Sequence, residues 1–241
     1  MSSISIIRAH VESRLPGALS SYMPPEPEMI ATGIQSLDRI VGGIPRSGLT
    51  QICAPAGVST GRTTLLLSVM QKATSREEFC ALVDASDCFD PASAEAAGVD
   101  MSRLLWVRCE SEKAMRSMEQ AFKAADIIVQ NGGFGLIAID LGNIEERLVR
   151  KVPLSTWFRF ARVVEKMPAA LVFLLSHPAA QSCSTLTLHC TVKESRWQGW
   201  EKVSHANFLS GLECGFEIGR SRMRKPAQSV PQCFTATSVW V

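Results

Sequence analysis

The sequence predicts an α/β fold in which a mostly parallel central sheet has helices on both faces and antiparallel strands at its C-terminal edge. Apolar, β-rich runs alternate with helical patterns between residues 49 and 176, which is typical of parallel sheets. After residue 176 the runs become short and alternate in polarity, which is typical of antiparallel strands. A chain of 241 residues with 46% hydrophobic and 20% charged residues suits one large folded domain.

The first 28 residues are predicted to form a helix and a proline-rich arm, with the α/β core over residues 29–241. Ile6, Ile7 and Val11 fall on one side of a helix over residues 4–19. Three prolines between residues 24 and 27 then favour an extended chain. A helix on such an arm packs either on its own domain or on a neighbouring molecule, and both alternatives stay open.

The core is predicted from a regular succession of elements. An apolar helix follows residues 31–37, and the loop at 42–48 is marked by glycines and a proline. The predicted parallel strands are 49–54, 80–84, 104–109, 135–140 and 170–176, and the helices between them are 63–73, 91–97, 112–129 and 154–166. The predicted antiparallel strands are 186–191, 215–220 and 233–239.

Composition and targeting signals exclude several classes of protein. The longest apolar run, at 169–175, is too short to cross a bilayer, and the N-terminus lacks the pattern of a signal peptide. Eight cysteines lack metal-ligand spacing, so we expect reduced thiols in a cytoplasmic protein. The net charge of +2 does not by itself indicate a polyanionic partner.

The segment 51–65 contains the pattern that the rest of the chain is arranged around. An apolar strand runs into a small-residue loop and then a helix, which is how nucleotide-binding proteins direct backbone N–H groups at phosphates. Against the P-loop pattern, Ala56 replaces the first Gly and Arg62 replaces the Lys. The expected phosphate-binding residues are Ala56, Gly57, Val58, Ser59, Thr60, Gly61, Arg62, Thr63 and Thr64. The alternative is an ordinary helix that follows a strand.

Metal binding is predicted for Thr63 and Asp140. A P-loop threonine holds Mg²⁺ through its hydroxyl, and a second strand must supply an Asp to the same ion. Asp140 ends the apolar run FGLIAID and is the natural candidate. Asp84 and Asp87 end another run and would lie at the same edge of the sheet. The alternative for each acidic residue is a cap on the following turn.

Seven segments from residue 30 onward resemble the core of the bacterial RecA recombinases. They are TGIQSLD, GGIP, APAGVSTGRTT, LVDASDCFDP, AAGVDMSRLL, LIAID and FLLSH, and RSRMRKP extends the match. The resemblance implies a RecA-like P-loop NTPase core that stacks head to tail, with ATP and Mg²⁺ held between subunits. It also implies homo-oligomers or assembly with other RecA-like subunits, and binding to single-stranded DNA.

The sequence departs from the RecA pattern at the residues expected to hydrolyse ATP. Ser86 stands where the family has the Glu that activates water, and a serine is no base at neutral pH. Asp87 is a potential substitute at a shifted position. The phosphate loop is two residues longer, measured from Ile52 and Pro55, and Ser93 replaces the aromatic that stacks on adenine. We therefore expect ATP hydrolysis to be lost or weak.

The loops that bind DNA in the family are reduced. His177 replaces a phosphate-sensing Gln, and the second loop has shrunk to residues 178–184, without charge or aromatic residues. The first loop retains Arg147, Arg150 and Lys151 as candidates for phosphate contacts. The alternatives are a solvated loop and, for His177, a hydrogen-bonded residue at a strand end.

Near the C-terminus, Arg220 and Arg222 stand where recombinases hold two basic residues that reach nucleotide on the next subunit. The alternative is an exposed strand with alternating Arg. Because the sequence ends soon after residue 239, we expect the separate C-terminal domain of the recombinases to be missing.

These losses are similar to those of the ImuA group of RecA paralogues, which serve mutagenic translesion synthesis. This similarity implies an accessory or scaffold protein of the SOS-type damage response, with RecA and translesion polymerase subunits as partners. Two alternatives are weighed against it: a small active RecA-type ATPase in recombinational repair, and a P-loop kinase of a small molecule.

Overall fold

The computed structural model describes residues 10–11, 13–14, 27–109, 111, 113–198, 208–222 and 232–237, with backbone alone for 198, 208 and 232–237. His10, Val11, Ser13 and Arg14 are helical. Most of the predicted N-terminal helix and arm lies outside the described residues, so the division at residue 28 stays a prediction.

The described part of the chain forms one large sheet and a two-stranded ribbon. The ribbon pairs β1 (Met29–Ile30) with β2 (Ile44–Pro45). The strands of the large sheet are β3 (Gly48–Cys53), β4 (Cys80–Asp84), β5 (Leu104–Arg108), β6 (Leu136–Asp140), β7 (Ala170–Leu175), β8 (Leu186–Gln198), β9 (Phe208–Ser221) and β10 (Gln232–Thr237). Their spatial order is β10-β9-β8-β3-β7-β6-β4-β5. The pairs from β8 to β5 are parallel, and β8–β9 and β9–β10 are antiparallel.

Six α-helices connect these strands within the described residues. They are α1 (Gln35–Val41), α2 (Arg62–Thr74), α3 (Pro91–Ala96), α4 (Ala114–Asn131), α5 (Glu146–Val149) and α6 (Leu154–Val164). Short 3₁₀ turns lie at Met101–Arg103 and Gln181–Cys183.

The sheet is buried on both faces because successive side chains of a strand point to opposite sides. Leu171 and Phe173 of β7 belong to the hydrophobic core that includes α4 and α6. Val172 and Leu174 belong to the core that includes α2. Trp157 of α6 packs edge-on against Phe173, with 5.0 Å between ring centroids. The alternating core explains why β7 reads as a continuous apolar run.

The predicted fold class is confirmed, with one correction to the C-terminal edge. The predicted strand 186–191 is part of β8, which is antiparallel to β9 but parallel to β3. Leu186, Thr187, Leu188 and Cys190 are buried, and residues 191–197 are exposed. The alternation of apolar and polar residues over 186–191 therefore did not indicate in which direction the neighbouring strand β3 runs.

The seven described cysteines are free thiols. Six of these seven thiols are buried, and Cys88 is exposed. Among the described residues, no helix combines the length and the apolar character that a membrane crossing needs. The carboxyl ends of β3, β4, β6 and β7 meet at one edge of the sheet because these strands are parallel. That edge carries the candidate site.

Candidate functional site

A cavity of about 420 Å³ lies at the carboxyl edge of the sheet. The loop after β3 and the start of α2 form one wall, and Asp140 at the end of β6 lies opposite. The described residues that line it are Gly57, Val58, Ser59, Thr60, Gly61, Arg62, Thr63, Thr64, Leu66, Leu82, Cys88, Phe89, Asp140, Asn143 and Leu212. The structure therefore brings Gly61, Thr63 and Asp140 to one cavity. Ala56 is exposed and lies outside this lining set.

The start of α2 offers unbonded donors to this cavity. Gly61 precedes the helix in the left-handed conformation (φ 76°), and no side chain caps the helix N-terminus. The first N–H groups of a helix have no partner inside it, so an uncapped end favours an anion. Thr60 is buried, and its hydroxyl makes no hydrogen bond among the described residues. These groups fit a phosphate.

Arg62 reaches the strand ends from the first turn of α2. Its Nη1 lies 3.1 Å from the carbonyl oxygen of Leu175, 3.3 Å from that of Ala54 and 3.4 Å from that of Gly142. These carbonyls follow β3 and β6 and end β7. The guanidinium is thus engaged by the backbone, whereas a P-loop lysine serves as a mobile point charge for phosphate.

Asp140 and Thr63 provide the oxygen donors expected for Mg²⁺. The Asp140 carboxylate accepts a hydrogen bond from the Gly142 N–H at 2.8 Å. Burial raises the pKa of Asp140, while this hydrogen bond and the nearby Arg62 oppose the rise. Thr63 is exposed at the cavity wall. Mg²⁺ takes one or two protein oxygens together with substrate phosphates, so these donors fit it.

The residues expected to activate water lie apart from the cavity lining. Ser86, at the family Glu position, has a buried hydroxyl without a hydrogen-bond partner among the described residues. Asp87 makes two hydrogen bonds of 2.6 Å to the guanidinium of Arg108 on β5. These bonds hold the pKa of Asp87 below its usual range. Asp84 caps the same turn, accepting from the N–H groups of Ser86 (3.1 Å) and Phe89 (2.8 Å).

The structure places His177 at a different cavity. This second cavity, of about 330 Å³, is lined by His177, Arg150, Trp157, Gln181 and neighbouring apolar residues. The Nδ1 atom of His177 is 3.2 Å from the Ser176 hydroxyl, and its Nε2 is buried without a partner among the described residues. Burial lowers the pKa of His177, which favours the neutral ring. The predicted grouping of His177 with the phosphate loop is therefore not reproduced.

The candidate DNA-binding residues lie on and beside the short helix α5, in a segment that is predicted as a loop. Arg147 pairs with Glu145, and Arg150 pairs with Glu146. Lys151 is exposed, and no ion pair joins it to the described residues. The shortened second loop is held in place by Gln51 of β3, whose Oε1 accepts from the N–H groups of Ala179 and Ala180 at 2.8 Å each.

Arg220 and Arg222 lie at the end of β9, away from the cavity lining. Arg222 donates to the carbonyl oxygen of Ser182 through its side chain, and its N–H donates to that of Thr185 at 2.9 Å. The side chain of Arg220 is exposed, and no hydrogen bond or ion pair joins it to the described residues, while its backbone pairs with Thr187 of β8. Their role toward a neighbouring subunit stays a prediction.

Sequence reasoning missed several residues at the site. Cys88 and Phe89 follow β4, and Asn143 follows β6, and all three line the cavity. Their position just after the carboxyl ends of parallel strands is the signal that could have identified them. Phe89 packs edge-on against Trp106, with 5.2 Å between ring centroids. The hydrogen bonds of Gln51 had no signal in the sequence.

The fold and the cavity define an open α/β protein with a strand, loop and helix at the site typical for nucleotides. The family model described as the RecA N-terminal domain matches residues 19–145, more than half of the chain. The chain belongs to the RecA family. This family likeness agrees with the mostly parallel sheet and its antiparallel edge.

Three curated relatives of this chain are RecA proteins, each matched over part of its length. Protein RecA of Chlorobaculum tepidum is 38% identical over 115 residues, which cover 47% of this chain and 31% of the relative. Protein RecA of Desulfotalea psychrophila is 30% identical over 162 residues, or 61% of this chain and 43% of the relative. Protein RecA of Deinococcus radiodurans is 32% identical over 138 residues, which cover 56% of this chain and 33% of the relative. The matches thus span less than half the length of these relatives.

Proposed function

We propose that this chain is a RecA-family accessory protein of the bacterial DNA damage response, which binds ATP weakly and hydrolyses it slowly or not at all. It acts as an interaction component of DNA repair and translesion synthesis in the cytoplasm. One observation carries the proposal: among the described residues that line the cavity, Asp140 is the only acidic one.

The positions of the carboxylates near the cavity support a loss of ATP hydrolysis. A water-activating base must reach the attacking water within hydrogen-bond distance. Asp140 occupies the place of the metal ligand, and Asp87 is engaged by Arg108. Ser86 cannot replace a carboxylate at neutral pH. Loss of such a residue lowers phosphoryl-transfer rates by orders of magnitude.

The small number of unpaired basic residues in the expected DNA-binding loop supports an accessory role. The loop at 141–153 contains three basic and two acidic residues, and both of its arginines are paired with glutamates. Non-specific DNA binding comes mainly from unpaired cations that meet phosphates. We therefore propose that RecA-like subunits and translesion polymerase subunits are the main partners, and that single-stranded DNA is bound weakly.

Partner binding can be tested with purified proteins. The chain should co-sediment with RecA filaments on single-stranded DNA, or bind a translesion polymerase subunit, at micromolar concentration. A variant without residues 1–27 should lose this binding and keep its folded core, because Ile6, Ile7 and Val11 are proposed to pack on the partner. The Arg147→Ala, Arg150→Ala, Lys151→Ala triple variant is the matched control, and it should bind the partners normally. Absence of binding to either class would contradict the accessory role.

The alternative of an active ATPase makes the opposite prediction for two residues. It requires that Asp87→Ala and Arg62→Ala each abolish turnover. The salt bridge between Asp87 and Arg108 and the carbonyl contacts of Arg62 weigh against that alternative. DNA-stimulated hydrolysis that disappears in Asp87→Ala would favour it over the accessory proposal.

A further inference from the structure

The contacts of Arg62 and Gly142 form a pair that nucleotide binding does not explain. Nη1 of Arg62 lies within 3.4 Å of three carbonyl oxygens, which belong to Ala54, Gly142 and Leu175. Each carbonyl ends or follows a different strand of the sheet, namely β3, β6 and β7. One guanidinium therefore contacts three of the chain segments that meet at this edge of the sheet.

Gly142 is required by the guanidinium rather than by its own backbone. Its φ lies outside the left-handed region, so an L-residue could adopt the same backbone conformation. A Cβ added at Gly142 would lie 2.5 Å from Nη1 of Arg62 and nearer still to Nη2 and Cζ. The three nearest atoms all belong to Arg62, so this side chain alone sets the limit there.

We propose that Arg62 is a positioning residue that joins the ends of β3 and β7 to the turn after β6, and is thereby withheld from phosphate. All three contacts are made by Nη1, which carries two N–H groups, so at least two of the carbonyls share one hydrogen. The Leu175 carbonyl also accepts from the Ala54 N–H at 3.0 Å, so Arg62 adds a second donor there and links it to the carbonyls of Ala54 and Gly142.

The change from Lys to Arg therefore converts a ligand-binding residue into a structural one. Phosphate recognition falls to the backbone N–H groups at the start of α2 and to the hydroxyls of Thr60 and Thr63. The structural role of Arg62 is independent of the proposed function. The statement that Arg62 is withheld from phosphate rests on the proposed function.

A double-mutant cycle tests the structural half without any nucleotide. Gly142→Ala in the wild-type chain should lower the Tm by roughly 5 °C, because the guanidinium must move away from the carbonyls. In an Arg62→Ala background the same substitution should cost about 1 °C or less, since the clash has gone. An equal loss in both backgrounds would overturn the proposal.

Two controls keep this cycle decisive. Gly132, which ends α4 at φ 68°, lies before β6 at the opposite edge of the sheet. Gly132→Ala should therefore cost the same in both backgrounds. If Arg62→Ala does not fold, Arg62→Lys gives a second background. In that background the loss of Tm caused by Gly142→Ala should still fall by half or more, because the wide guanidinium is gone. An unchanged loss of Tm there would overturn the proposal as well.

Titration with a fluorescent ATP analogue tests the phosphate half. If Arg62 is withheld from phosphate, Arg62→Ala should bind within about threefold of the wild type, and Thr63→Ala should bind about tenfold more weakly. A loss of tenfold or more in Arg62→Ala would overturn the phosphate half. If the wild type does not bind the analogue, the proposed ATP site fails, whereas the cycle still decides the structural role of Arg62.

Discussion

Two arginines hold the two edges of the sheet by the same means. Arg46 is 6% exposed and donates to the carbonyl oxygens of Pro168 (3.0 Å) and Gly135 (3.2 Å), and it pairs with Glu78 through two bonds of 2.6 and 2.8 Å. Arg62 contacts carbonyls at the opposite edge. A guanidinium has five donors in one plane, so it can satisfy several strand-end carbonyls.

Cys88 offers a chemical probe of the cavity. It is exposed, whereas burial raises the pKa of Cys53, Cys80 and Cys190 to about 12, which keeps those thiols protonated. Iodoacetamide should therefore modify Cys88 first among the described cysteines, as measured by site-resolved mass spectrometry.

Nucleotide in the cavity should protect this thiol. With Mg-ATP at about ten times its Kd, alkylation of Cys88 should slow by roughly tenfold. Adenosine, which lacks phosphates, is the control and should give much weaker protection. An unchanged rate with saturating Mg-ATP would place the nucleotide elsewhere.

His177 should make the stability of the protein sensitive to acid. Burial lowers its pKa, with Glu146 opposing and Arg150 assisting the shift. The unfolded chain then takes up a proton near pH 6.5 that the folded chain refuses, so stability falls as the pH drops below that value. His177→Gln lacks this proton uptake and should lose less stability between pH 7 and pH 5, measured by thermal unfolding. The same loss in both proteins would contradict this explanation.

At the scale of elements, Gln51 ties the shortened second loop to the sheet. Its side chain is buried, accepts from the N–H groups of Ala179 and Ala180, and donates to the Thr187 hydroxyl at 3.1 Å. Ser184 also hydrogen-bonds Thr187, at 2.9 Å. This network fixes the segment that connects β7 and β8.

Removing the Gln51 amide should destabilise the protein strongly. Gln51→Leu leaves the N–H groups of Ala179 and Ala180 without their acceptor, which costs about 2–4 kcal/mol, whereas the Thr187 hydroxyl keeps its hydrogen bond to Ser184. Urea unfolding measures the change in the free energy of unfolding. Ser182→Ala, an exposed position in the same segment, is the control and should change it by less than about 0.5 kcal/mol. A similar small effect of Gln51→Leu would show that the network does not hold the segment.

The order of elements could be predicted from the sequence, because strands buried on both faces read as continuous apolar runs, whereas helices repeat apolar residues three or four positions apart. The strand Cys80–Asp84 was predicted to the residue. The parallel pairing of β8 with β3 was not, since alternating polarity does not specify the direction of a neighbouring strand. The short helix α5 was missed because four residues carry too little periodicity.

The backbone positions of the candidate site could be predicted from the sequence motif. The hydrogen-bond partners of its side chains could not. The loop after β3 and the end of β6 meet as expected, because parallel strands place both at one edge. The pairing of Asp87 with Arg108, and of Arg62 with three carbonyls, depends on side-chain geometry that no sequence spacing reports.

For the whole molecule, we propose that the site can hold a nucleotide without hydrolysing it. The cavity keeps the loop, the uncapped helix start and the metal-type carboxylate of a P-loop site. The position for the water-activating carboxylate holds Ser86, whose hydroxyl is buried. The two hydrophobic cores on the faces of the sheet are built without the residues that hydrolysis would need.

The fate of bound ATP under single-turnover conditions tests this separation most directly. With the protein in excess over radiolabelled Mg-ATP, the bound nucleotide should be recovered as ATP after many minutes, with or without single-stranded DNA. Recovery as ADP, faster when single-stranded DNA is added, would contradict the account and show that the chain is an active motor of its family.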